Sequence, residues 1–129
     1  MKKTLAALGM AFALAGCAAA PTQQQINSAD YGYSIYQADA EVLVKQFFES
    51  VLKDPESAKY RFGEVYRGYM VGSAFEGRKL EAGYLIDVNV NAKNSYGGYT
   101  GGKPYKFLIR SGKLIRGFDT SSGVNSPVL

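Results

Sequence analysis

The 129-residue chain has no histidine, no tryptophan and a single cysteine. Without histidine, Ser–His and Cys–His catalysis lacks its general base, and histidine-based metal sites are excluded as well. One cysteine allows no internal disulfide, so the fold must rest on packing. Charges of the two signs are close to balance, at +4 net. Beyond the N-terminus no apolar run is long enough to span a membrane, and there is no internal repeat. Other catalytic arrangements are thin. Glu76 and Glu81 flank a turn, but nothing in the sequence positions them, and they read as solvated surface. Ser57 lies near Lys59 and Ser111 near Lys113, a spacing too common to indicate chemistry. These absences point to a non-enzymatic protein with no cofactor and no metal.

What is present begins with the leader. Lys2 and Lys3 precede an apolar segment from Leu5 to Leu14, which is too short for a lasting transmembrane helix. Leu14-Ala15-Gly16-Cys17 follows and resembles the lipobox of bacterial lipoproteins. That resemblance implies cleavage before Cys17, a diacylglyceryl thioether on its sulfur and an acyl chain on its new amine. Residues 1–16 are then the signal peptide, and Cys17 is the lipidation site. Each buried methylene adds about 0.8 kcal/mol of membrane affinity, so three chains hold for the life of the protein. Ala18 stands where aspartate would resemble an inner-membrane retention signal. The expected location is the outer membrane, with the domain facing the periplasm.

The mature chain divides by composition. Residues 17–29 carry no charge and read as a lipidated, flexible tether. Residues 30–119 read as one small domain, and 120–129 as an unstructured tail. A helix is expected over about 39–53, with Asp39 as its cap and Pro55 ending it. Leu43, Phe47 and Val51 recur at helical spacing, with Val44, Phe48 and Leu52 beside them. An earlier helix over Ser28 to Gln37 is weakened by Gly32. Asp54 and Pro55 suit the start of a second short turn.

The period then changes to two. Tyr60 to Met70 suggests a bent strand or strand pair, broken by Gly63 and Gly68. Tyr84, Ile86, Val88 and Val90 alternate with Leu85, Asp87, Asn89 and Asn91, giving one apolar face and one largely polar face. Tyr105, Phe107 and Ile109 make a further strand, and Ser111-Gly112 fits a hairpin turn into Lys113 to Phe118. The predicted fold is α+β in two layers, one main helix on a three- to four-stranded antiparallel sheet.

Charge is uneven along the chain. From Val88 to Leu129 there are six basic residues and one acid, and this reads as a basic lobe. Basic patches favour anionic partners. For an exported chain these are lipid head groups, cell-wall polymer or acidic envelope proteins, not nucleic acid. The stretch NAKNSYGGYTGGKPYKF (91–107) sits in this lobe. Gly97-x-x-x-x-Gly102-Lys103 imitates a phosphate loop, but Pro104 replaces the required hydroxyl residue and a strand follows, so nucleotide is not expected. Asp87-x-Asn89-x-Asn91 imitates a calcium loop, yet Ala92 and Gly98 stand where glycine and glutamate are needed.

Two readings of the loop remain. It folds back on the sheet with Tyr96 and Tyr99 as packing anchors and Lys93 paired to an acid, or it is a binding surface. In the second reading Lys93, Asn94, Tyr96, Tyr99, Lys103 and Lys106 meet a partner through stacking and anion contact.

Three segments carry a family resemblance, LKDPESAKYRF (52–62), VNAKNSYGGYTG (90–101) and the aromatic strand KPYKFLI (103–109). They resemble a set of small exported bacterial proteins with the patterns DPxSAx(F/Y)R and VNxKNxxGGYxG. The resemblance spans roughly residues 41–110 and brings no activity with it. Where many of those proteins carry a cysteine shortly before the VN, this chain has Asp87, so no thiol role transfers. The expected function is that of a lipoprotein whose domain binds or scaffolds an envelope component. An inhibitor or exclusion factor against an incoming enzyme or phage component, and a cell-wall hydrolase, are the alternatives.

Overall fold

The structure is a computed structural model and describes residues 19–129. Cys17 and the leader expected over 1–16 lie outside the described residues. Helix α1 spans Gln23–Ser28 and helix α2 Gln37–Val51, followed by a 3-10 turn at Pro55–Ser57. The strands are β1 (Lys59–Phe62), β2 (Tyr66–Val71), β3 (Leu80–Asn91), β4 (Lys103–Arg110), β5 (Lys113–Asp119) and β6 (Ser126–Pro127). The α+β class is as expected, but the sheet is larger. All pairings are antiparallel in the order β1-β3-β4-β5-β6, and β2 also pairs with β3. Among the described residues no helix is long and apolar enough to cross a membrane.

β1 and β2 run end to end along one edge of β3. Phe62 lies opposite Val88, and Tyr66 opposite Leu85. The break between them is stitched to α2. The Val65 N–H donates to Gln37 Oε1 at 2.7 Å, and Gln37 Nε2 donates to the Gly63 carbonyl at 3.0 Å. The expected bent strand pair is therefore one interrupted strand, with Gly68 inside β2 and Gly63 in the break. Ser111 (φ 50°) and Gly112 (φ 74°) form the tight β4–β5 turn, where both central residues take positive φ.

The core lies between α2 and one sheet face. Ala40, Val44 and Phe48 pack on Ile86, Val88, Val90, Phe107 and Ile109. Phe48 meets Tyr105 and Phe107 edge-on, with ring centroids 4.9 and 5.7 Å away. The row that seats the helix is therefore 40-44-48. Leu43 and Phe47 border it, and Val51 is exposed at 55%. Asp39 does not cap the helix. Tyr36 holds that position, and Asp39 sits in the first turn, where its charge suits the positive end. On the opposite face Leu85 and Leu108, direct cross-strand partners, are also buried. That face is therefore not uniformly polar.

Both terminal expectations need correction. Within the segment read as a flexible tether, Thr22 and Gln25 form a capping box that starts α1. The helix expected from Ser28 to Gln37 is absent, since no helix covers 29–36. In the segment read as an unstructured tail, β6 pairs with β5, and the Val128 N–H donates to the Gly117 carbonyl at 2.8 Å. The return turn is held by Asp119, whose carboxylate accepts from the Ser121 hydroxyl at 2.6 Å and the Ser121 N–H at 2.8 Å. The Ser121 hydroxyl, then its backbone N–H, hold the Asp119 carboxyl below the usual carboxylate range. Composition alone does not reveal such local polar closures.

Val88→Asp places a carboxylate in the core and should cost on the order of 3 kcal/mol or more. Asn89→Asp, on the other face, should stay within about 1 kcal/mol. Thermal melting of the two variants checks this, and equal melting temperatures would contradict the face assignment. Because the lowered Asp119 value is the folded one, its turn is fully stabilised above about pH 3.9 and loses that support as pH falls through the folded value. Acid-induced loss of hydrogen-exchange protection at the Val128 amide, which is bonded to Gly117, should disappear in Asp119→Asn.

Candidate functional site

The loop 92–102 joins β3 to β4, and Asn94 organises it. Asn94 Oδ1 accepts from the Tyr96 N–H at 2.9 Å and the Gly98 N–H at 3.2 Å. The Asn94 N–H donates to the Gly98 carbonyl at 2.8 Å, and the Gly97 N–H donates to the Asn94 carbonyl at 3.0 Å. Gly97 supplies the positive φ of 79° that the turn needs. Asn94 therefore spends its carboxamide oxygen inward, building the turn.

The two loop tyrosines have different roles. Tyr99 is an anchor. Its hydroxyl donates to the Ser57 carbonyl at 2.9 Å, across 42 residues of sequence. Ser57 Oγ accepts from the Lys93 N–H at 2.9 Å and donates to the Asp54 carbonyl at 2.7 Å. The first two of the segments that carry the family resemblance thus clasp each other at Ser57. Lys59 Nζ lies 4.5 Å, and Lys93 Nζ 5.7 Å, from the centre of the Tyr99 ring. Lys93 packs on an aromatic face, and among the described residues it forms no ion pair with an acid. Tyr96, in contrast, is 96% exposed on the tip of the turn.

Lys103 and Lys106 do not share a surface. Lys106 lies opposite Asp87, with Nζ 3.7 Å from its carboxylate, whereas Lys103 lies opposite Val90, on the helix side. The six residues expected to form one contact surface are therefore divided by the sheet. The basic lobe is dispersed in the same way. Arg116 Nε donates to Glu81 Oε2 at 2.7 Å, and its Nη1 lies 3.9 Å from Glu76. The hydrogen bond to Glu81 and its charge raise the Arg116 pKa further. Glu76 and Glu81, read from sequence as unpositioned surface acids, are held together by one guanidinium.

Sequence reading missed Lys59 and Arg61. Antiparallel pairing sets Lys59 opposite Asn91 and Arg61 opposite Asn89, and Pro104 flanks Asn89 from β4. Two shallow hollows on this solvent face, about 250 and 330 Å³, share Arg61 and Asn89. Asn91 borders the smaller one, and its Oδ1 is enclosed without a hydrogen-bond partner. Exposed cations beside amide groups can hold a carboxylate or phosphate and its neighbouring hydroxyls together. The Lys-x-Arg alternation on a strand was a readable signal, but its juxtaposition with Asn89 and Asn91 required the register.

The division of roles between the tyrosines can be measured. Tyr99→Phe should lower stability by about 1 kcal/mol through the lost bond to Ser57. Tyr96→Ala should stay within about 0.5 kcal/mol. Denaturant midpoints check both, and a larger loss from Tyr96→Ala would show that its ring packs.

Compared with models of known protein families, with curated proteins and with solved structures, the chain shows no match.

Proposed function

We propose that this chain is a non-enzymatic lipoprotein of the outer membrane, anchored through Cys17, whose α+β domain binds an acidic, hydroxyl-bearing cell-wall polymer. The observation that carries the binding half is the solvent face of β1 and β3. There Lys59, Arg61, Asn89 and Asn91 line adjoining hollows. Tyr96 adds an exposed ring on an adjoining turn held by four hydrogen bonds. Guanidinium and ammonium groups supply charge-assisted donors to carboxylates, and asparagine pairs with hydroxyls in both directions. An aromatic ring held on a fixed turn stacks on a sugar at little entropic cost. The non-enzymatic reading is supported by Arg116, which engages both Glu76 and Glu81 and leaves neither carboxylate free to act in a pair.

The anchoring half rests on the lipobox-like sequence. Cys17→Ser should leave an unprocessed precursor that takes up no radioactive palmitate, and continued labelling would end the lipoprotein reading. For the binding half, Lys59→Glu with Arg61→Glu should abolish co-sedimentation with purified cell-wall polymer and cost no more than about 1 kcal/mol of stability, the contact of Lys59 with the Tyr99 ring. Wild-type retention should weaken with added salt, because exposed charges are screened. Retention of the double variant at the wild-type level would contradict the site.

A further inference from the structure

The tip of the β2–β3 hairpin carries a feature that polymer binding does not use. Phe75 is fully exposed, at 104% of its reference area. A side chain of this kind on a mobile loop would mean little, but this tip is held. Ser73 and Glu76 form a capping box around the 3-10 turn Ala74–Glu76. Gly77 and Arg78 follow with φ of 72° and 50°. The Arg78 N–H returns to the Ser73 carbonyl at 3.0 Å, and the Gly72 N–H donates to the Lys79 carbonyl at 2.9 Å. Glu76 also ties the tip to Arg116 of β5. The fold therefore presents Phe75 to its surroundings in a fixed position.

Chemistry and position then identify what it meets. Arg78 and Lys79 follow Phe75 and are exposed, and the acid beside them, Glu76, is already engaged by the cap and by Arg116. Val71 and Tyr69, on the adjoining strand, are 43% and 41% exposed. An apolar tip followed by two exposed cations fits the boundary between acyl chains and anionic head groups. The N-terminal segment lies against the same tip. Ala19, Pro21 and Gln25 line a cleft of about 370 Å³ together with Arg78, Lys79 and Leu80. Ala19 is two residues from Cys17, at most about 7 Å of chain. A lipid on Cys17 would therefore leave the domain beside Phe75, not at the end of a free tether.

We infer that the hairpin tip, Phe75 with Arg78 and Lys79, seats the domain on the phospholipid surface of the membrane that holds its lipid anchor. This inference rests on the lipoprotein reading and adds to it a fixed orientation of the domain. Apolar insertion and head-group attraction act beside the anchor, where the bilayer is already held close. They therefore operate at a high effective concentration.

The absence of native tryptophan allows a direct test. Phe75→Trp gives the chain one indole at a position that packs on nothing. The lipidated full chain is placed in phosphatidylethanolamine–phosphatidylglycerol vesicles with brominated acyl chains. The expected result is a blue-shifted emission that bromine quenches, with quenching reduced by adding Arg78→Glu and Lys79→Glu. Tyr96→Trp, at the other end of β3, should emit as in water and remain unquenched. Water-like, unquenched emission from the indole of Phe75→Trp in a palmitate-labelled protein would overturn the seating and leave the anchor intact. A blue shift without bromine quenching would overturn it too, because the tip would then be buried in protein. Quenching of the same indole on added vesicles in a chain with no palmitate label would support the seating and overturn the anchor.

Discussion

Every working part of this domain is placed by β3. The strand is paired along one edge by β1 and β2 and along the other by β4. Its even-numbered residues Ile86, Val88 and Val90 form the floor under α2. Its odd-numbered residues Asp87, Asn89 and Asn91 line the opposite, solvent side. Because side chains alternate with a period of two, core and solvent face are specified together, and a one-residue slip would exchange them. The apolar row fixes the register, since burying each large side chain stabilises the fold by roughly 1.5–3 kcal/mol. The polar row contributes little to that choice. Its clearest pair, Lys106 with Asp87, is 3.7 Å apart and partly solvated, a geometry worth under about 1 kcal/mol.

The same strand separates the two surfaces to which we assign function. The Phe75 hairpin begins at one end of β3, and the loop bearing Tyr96 begins at the other. Twelve residues of strand correspond to roughly 36 Å at about 3.3 Å per residue. With its hairpin end on the bilayer, the domain would reach away from the membrane and present Tyr96, Lys59 and Arg61 outward. Both ends are braced by contacts distant in sequence. Arg116 holds the hairpin side through Glu76 and Glu81, and Ser57 holds the loop side through Lys93 and Tyr99. Bracing of this kind lowers the ordering cost of binding at either surface.

Much of this was legible in the sequence where one period dominates. The alternation from Tyr84 to Asn91, the apolar helix before Pro55 and the Ser111-Gly112 turn each state their structure locally. The Gly/Tyr loop was recognisable as unusual, but its division of labour was not. Tyr96 and Tyr99 have similar neighbours in sequence, and what distinguishes them is tertiary: the Ser57 carbonyl and the Lys59 and Lys93 ammonium groups meet Tyr99 alone. Lys103 and Lys106 looked like one patch because linear density hides strand alternation. Arg61 was overlooked because its partner Asn89 lies 28 positions away and meets it through the β1–β3 register. The terminal segments looked irregular because α1 and β6 are set by short polar closures, the Thr22–Gln25 capping box and the Asp119–Ser121 turn, and not by an apolar pattern.

The central claim is that β3 spans from a membrane-seated end to a polymer-facing end. Placing a photoactivatable amino acid at position 75 and, separately, at position 96 in living cells tests it most directly. The account predicts phospholipid adducts from position 75 and cell-wall adducts without phospholipid from position 96. Phospholipid adducts at position 96, or none at position 75, would contradict it.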